Sequence, residues 1–76
     1  MPEGKYFTIE SLLNGMVLDI EGGAMEDGTK VIMFPPHEND NQLWWEDHHR
    51  GVIRSKVDEN FCLTVEGRFW ALELFL

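Results

Sequence analysis

Along this chain β-branched and aromatic residues gather in short runs bounded by turn formers, and no apolar period of a helix is sustained. "KYFTIE" (residues 5–10) is followed by "LLNG" and then "MVLDIE", and the Asn14-Gly15 pair predicts a type I′ turn that joins the two runs as a hairpin. Further on, "GGAMEDGTK" supplies Gly22, Gly23 and Gly28 for the positive-φ positions of a tight loop. "KVIMFPP" reads as a strand ended by Pro35 and Pro36, which lack amide donors. "HENDN" is then a polar loop, "QLWWED" a fourth strand, "VIRS" a fifth and "FCLTVEG" a sixth, with "HHRG" and "KVDEN" as the turns between them. Turn signals about every 8 to 12 residues predict an all-β fold of short antiparallel strands and hairpins, a small barrel or sandwich. Strand alternation puts Trp44 and Trp45 on opposite sides, and turns Asp19 away from the side that Leu18 and Ile20 bury. Trp45 then lies on the outer side, as a contact surface or packed under a loop.

The pattern also repeats. "IESLLNGMVLDIEG" (residues 9–22) aligns with "IRSKVDENFCLTVEG" (residues 53–67) once a residue is inserted in the second turn. Ile9 then meets Ile53, Ser11 meets Ser55, Leu18 meets Leu63, Glu21 meets Glu66 and Gly22 meets Gly67, a period of about 45 residues. A unit of that size with several strands cannot bury its own apolar face, so neighbouring units must stack. The β-propeller and the β-trefoil are built that way. A propeller would want a Gly-His and a Trp-Asp in each blade, and this chain has neither.

The ordered set "NGMVLDIEGG", "GTKVIMFP", "NDNQLW", "GVIRSK" and "FCLTVEG" resembles the ricin-B-type β-trefoil lectin family, with Gln42-Leu43-Trp44 as its Q-x-W motif. The resemblance covers most of the chain. It implies a partial β-trefoil, about one and a half to two of the three similar units of the full fold, with the motif's tryptophan in a shared core. That placement suits Trp44, one of the largest apolar side chains available, and lets Gln42 bond backbone groups left unpaired by the irregular loop before it. The resemblance also implies one sugar site, in which an aspartate of the second strand, an aromatic at the end of the third and an asparagine before the glutamine match Asp19, Phe34 and Asn41, beside Gln42. A carboxylate and an amide can bond adjacent sugar hydroxyls while an aromatic face stacks on the ring. Two departures stand out. Ile32 replaces the polar residue that galactose-binding members often carry two positions before the aromatic, and Thr64 stands in the second unit where Asp19 stands in the first. At most one such site is intact.

Composition narrows the partners. A chain of 76 residues makes one small domain at most, and a domain near this size buries only roughly 60% of its unfolded surface. The net charge of −8, from 14 acidic and 6 basic side chains, repels phosphate backbones and anionic lipid, so nucleic acid is excluded as a partner. No apolar run approaches the roughly 18 residues of a membrane span. Cys62 is the lone cysteine and reads as an apolar filler. With no secretory signal in "MPEGKYFTIE", the expectation is a cytoplasmic setting, while the family resemblance offers an extracellular one. His48 and His49 are adjacent on the chain and diverge rather than converge on an ion, with His37 distant in sequence, so no metal or other cofactor is expected. Nor does any nucleophile, base and orienting group stand together, so the chain is read as a non-enzyme.

After residue 67 the likeness between the units stops. The trefoil portion is therefore assigned to residues 1–67 and a divergent apolar tail, "RFWALELFL", to residues 68–76. Phe69, Trp70, Leu72, Leu74, Phe75 and Leu76 would leave a large patch on a monomer, which predicts self-association or docking on another chain. Two functions remain open: a carbohydrate-binding module, whose partner is a glycan, and a protein-interaction or assembly module that kept the framework and lost the sugar.

Overall fold

The computed structural model describes residues 5–67 and 72–75. Among them are six four-residue strands in three antiparallel pairs. β1 (Val17–Ile20) pairs with β2 (Val31–Phe34), β3 (Trp44–Asp47) with β4 (Val52–Ser55), and β5 (Thr64–Gly67) with β6 (Leu72–Phe75). Single bridges tie the pairs together, from Phe7 to Trp44, Glu10 to Val17 and Arg54 to Cys62. Two short 3-10 turns, Glu21–Gly23 and Asp40–Gln42, lead out of β1 and into β3. No α-helix occurs among the described residues, as the apolar runs predicted.

Residues 5–10 are not the continuous strand expected of them. Phe7 exchanges both backbone bonds with Trp44, at 2.8 and 2.9 Å, whereas Ile9 accepts from the amide of Leu18 at 2.9 Å. The run divides its edge between two different strands, so no ladder builds on either. The hairpin to β1 does form, but not through a type I′ turn, which needs positive φ at both central residues. Gly15 has φ 74°, while Asn14 is not among the positive-φ residues. Instead the Gly15 amide reaches back to the Ser11 carbonyl at 3.0 Å, and Asn14 uses its side chain to accept from the Met16 amide at 3.0 Å. The side-chain bond does the work that left-handed backbone would have done.

The internal repeat is visible bond by bond. Ser11 Oγ accepts from the Leu13 amide and Ser55 Oγ from the Val57 amide, both at 3.1 Å. Leu18 donates to the Ile9 carbonyl as Leu63 donates to that of Ile53, at 2.9 and 2.8 Å. Asn14 and Asp58 each close their turn on the amide two residues ahead. Leu72–Phe75, which the sequence placed in the apolar tail, pairs with β5 in the role that β2 plays beside β1. The rest of that tail, and with it Phe69, Trp70 and Leu76, lies outside the described residues.

Trp44 is fully buried with Leu18, Ile20 and Val31, and Phe7, Ile9, Met25, Ile53, Phe61 and Leu63 close around them. Both repeats contribute to this one cluster, as stacking units must. Trp44 also donates its indole N–H to the Leu18 carbonyl at 3.4 Å, so its polar atom is not stranded in the core. Trp45 packs rather than forming an exposed contact surface: it is buried on the opposite side of β3. Its cross-strand neighbour there is Arg54.

Arg54 donates from Nε to Asp47 Oδ2 at 2.8 Å and from Nη1 to the Glu59 carbonyl at 2.9 Å. Asp47 Oδ1 accepts from the amides of His49 and Arg50 and so fixes the turn into β4. The bond from Arg54, more than those amides, holds the Asp47 carboxyl below the ordinary value of 3.8. A carboxyl whose proton affinity falls on folding stabilises the fold above its unfolded value, and that contribution is lost as pH falls through the folded one. Asp47→Asn is therefore expected to be less stable than the parent at neutral pH, with the gap narrowing below about pH 4 in urea melts. A gap of the same size in acid would show that the charge is not what matters.

Candidate functional site

The site is built from β1, β2 and the connection between Phe34 and Trp44. In the β1–β2 register Asp19 sits opposite Ile32 and Val17 opposite Phe34. Opposite partners share a face, and so do residues two apart on one strand. Asp19, Ile32 and Phe34 therefore stand on the same face, away from the Leu18–Ile20 core, as the alternation of β1 predicted. The departure at Ile32 lies in the floor of the site, where it supplies apolar surface and no hydrogen bond.

Beyond Phe34 the chain cannot extend the ladder, because Pro35 and Pro36 have no amide hydrogen. One side chain takes over. Gln42, wholly buried, donates from Nε2 to the Pro35 carbonyl at 3.0 Å and accepts at Oε1 from the His37 amide at 2.9 Å. Its second Nε2 hydrogen goes to Asp19 Oδ2 at 2.9 Å. The glutamine thus bonds the backbone of the loop before it, as its place in the sequence implied, and also reaches the carboxylate.

Asp19 is only 3% exposed. A carboxylate so far from water needs full hydrogen bonding. Asn41 donates from Nδ2 to Asp19 Oδ1 at 3.1 Å and to the Ile20 carbonyl at 3.2 Å, and His37 Nε2 lies 3.3 Å from Asp19 Oδ2. The Asn39 amide donates to His37 Nδ1 at 3.1 Å, so in the neutral ring the hydrogen is on Nε2, facing Asp19. The His37 ring meets the Phe34 ring edge-on at 5.9 Å. Phe34 remains 45% exposed, so part of this aromatic residue is open to solvent beside the polar cluster.

The structure thus brings together all four residues singled out in the sequence, Asp19, Phe34, Asn41 and Gln42. It adds His37, which sequence reasoning weighed only as a metal ligand. The one signal for it was its position in the loop that Gln42 closes. No group of three or more metal-ligating side chains converges among the described residues. In the second repeat Thr64, exposed and without a carboxylate, stands where Asp19 stands in the first. A second feature of the loop is Glu38, whose φ of 64° is unusual for a residue with a side chain.

Short antiparallel pairs around a Q-x-W tryptophan, with the motif's glutamine tying a loop to a buried aspartate, define a portion of a lectin-type β-trefoil. The sequence profile of the ricin-type β-trefoil lectin domain matches residues 5–73, and the chain belongs to that family. Mucoricin of Rhizopus delemar is 46% identical over 44 residues, covering 55% of this chain and 30% of its own length. Tectonin-2 of Physarum polycephalum is 33% identical over 57 residues, covering 72% of this chain and 16% of its own. Among solved structures, the C-half of the earthworm R-type lectin in complex with GalNAc superposes with a TM-score of 0.70 at 38% identity, over 93% of this chain and 54% of that one. The chain thus spans about half or less of the length of each of these relatives.

Removing the Gln42 amide would leave the His37 N–H and a buried carboxylate short of partners. Gln42→Ala is expected to cost about 2–4 kcal/mol in urea unfolding, against less than about 1 kcal/mol for His37→Ala, whose side chain is partly solvated. Equal losses would show that the glutamine does not organise the loop.

Proposed function

We propose that the chain is a carbohydrate-binding module that holds one terminal sugar of a glycan against Asp19, Phe34 and Asn41, with Gln42 and His37 fixing their geometry. The observation that carries this reading is the buried Asp19 carboxylate clamped by three side chains directly beside a half-exposed aromatic ring. Clamped this way, the carboxylate can accept from a sugar hydroxyl without reorganising, and the Phe34 face can cover the C–H side of a pyranose. Family membership supports it, as does the GalNAc in the earthworm lectin's complex. A shallow one-sugar site gives about −4 to −5 kcal/mol, near millimolar, so strong binding would come from several copies acting together.

The test is titration of GalNAc and methyl galactoside into the protein, followed by calorimetry or NMR shifts. Asp19→Asn keeps the shape and removes the charge, and is expected to weaken binding by more than about tenfold. Phe34→Ala is expected to cost about 1 kcal/mol of affinity while leaving the fold intact, because the ring is largely outside the core. Unchanged affinity in the aspartate variant would overturn the assignment.

A second reading, a protein-interaction or assembly module, is favoured by one feature. Leu12 and Leu13 are almost wholly exposed, on a turn that Ser11 and Asn14 brace with side-chain bonds. Two leucines held out in water are a surface that association would cover. Under this reading, light scattering over a concentration series shows dimers or larger species that Leu12→Ser and Leu13→Ser together dissociate. A folded monomer at every concentration would exclude it.

A further inference from the structure

The bonding around Asp19 restricts what a ligand must bring. Asn41 commits both Nδ2 hydrogens, to Asp19 and to the Ile20 carbonyl. Gln42 commits both Nε2 hydrogens, to Asp19 and to the Pro35 carbonyl. The Nε2 hydrogen of His37 faces Asp19 as well, while Nδ1 is occupied by the Asn39 amide. Every side-chain N–H that these three residues place around the carboxylate is therefore spent inside the protein.

The free capacity is of the opposite kind. A carboxylate offers about four lone-pair directions, and the three contacts from Asn41, Gln42 and His37 leave roughly one. The Asn41 Oδ1 atom accepts no bond among the described residues. Ile32 adds neither donor nor acceptor to the floor. Among the described residues, the side chains of the site accept hydrogen bonds and have none left to give.

Charge acts in the same direction. The Asp19 carboxylate has no Lys or Arg against it among the described residues, only the amides of Asn41 and Gln42 and the ring of His37. Glu38, next to His37 and exposed, has no charged partner among the described residues. Asp40 has already taken the nearby cation, Lys56, at 3.2 Å. The chain as a whole carries −8.

We propose that this site selects ligands by their donors and charge: it takes neutral sugars through donating hydroxyls, favours sugars bearing an ammonium group such as non-acetylated hexosamines, and refuses uronates, sulfated sugars and sialylated ends. The proposal rests on the sugar-binding reading above. A hydroxyl supplies one donor and an ammonium three, whereas a carboxylate or sulfate supplies none and adds like charge.

The test is a matched series on the whole protein at neutral pH and low salt: methyl galactoside, galactosamine, galacturonate, and galactosides with one ring hydroxyl replaced by fluorine, which removes the donor. Galactosamine is expected to bind roughly fivefold tighter than methyl galactoside, the size of one close charge pair in a watery site. That advantage shrinks as salt rises, because the Debye length is only about 10 Å at 0.1 M. Galacturonate is expected to bind at least about tenfold more weakly, and at least one fluorinated galactoside to lose binding to a similar degree. If methyl galactoside binds while galacturonate matches it, or while galactosamine gains nothing, the selection rule is wrong and the sugar site stands. If every fluorinated galactoside keeps its affinity, the acceptor role is wrong. Binding by none of the series, methyl galactoside included, would instead overturn the sugar-binding reading and this inference with it.

Discussion

The hydrogen bond from Gln42 to Asp19 is the constraint on which the rest of the site depends. A carboxylate removed from water is costly unless its oxygens are bonded, and here the bonds come from residues more than twenty positions away along the chain. To bring them there, the connection after β2 must wrap back over β1. Gln42 holds it in that path by serving the carbonyl of Pro35 and the amide of His37, groups that the two prolines prevent from joining a ladder. Two residues on, Trp44 fills the centre of the core and bonds the carbonyl of Leu18, next to Asp19. The Q-x-W motif is thus a splint with one end in the hydrophobic cluster and the other in the polar one. Either end misplaced would move the other.

The two repeats show which parts of such a unit are free to diverge. The bonds that recur between them, those of Ser11 and Ser55, Leu18 and Leu63, Asn14 and Asp58, shape the turn and the strand that follows. They serve the shared core, so both units need them. The cluster around Asp19 serves only its own loop. Thr64 takes the aspartate's place in the second unit without disturbing the framework, since β5 still pairs with β6.

Most of this was legible in the chain because it follows from local rules. Strand alternation placed Asp19 away from Leu18 and Ile20, and prolines marked the end of β2, while the family resemblance carried by the Q-x-W motif implied a core position for Trp44. What escaped depends on distant partners. The Asn14-Gly15 pair argued for a type I′ turn, yet Ser11 and Asn14 side-chain bonds selected another. Residues 5–10 looked like a strand, and tertiary contacts split them between Trp44 and β1. Trp45 proved to be buried because the opposite side of β3 is covered as well. For His37 the chain offered only its place in the loop that Gln42 closes: its role arises from a ring placed beside Phe34 and a nitrogen aimed at a carboxylate eighteen residues earlier.

The completeness of the polar cluster sets how such a site can bind. Because Asp19, Asn41, Gln42 and His37 satisfy one another before any ligand arrives, binding has little ordering to do, and the entropy usually spent on fixing side chains is small. The same completeness limits the gain, since a ligand finds few unmade bonds and mostly replaces water on one lone pair and one aromatic face. A site of this kind cannot reach high affinity through polar contacts alone. Its discrimination must come from what it refuses: a ligand that brings acceptors or negative charge meets occupied donors and a field of its own sign, whereas one that brings hydroxyls meets a preformed acceptor. Preorganisation here favours selectivity over strength.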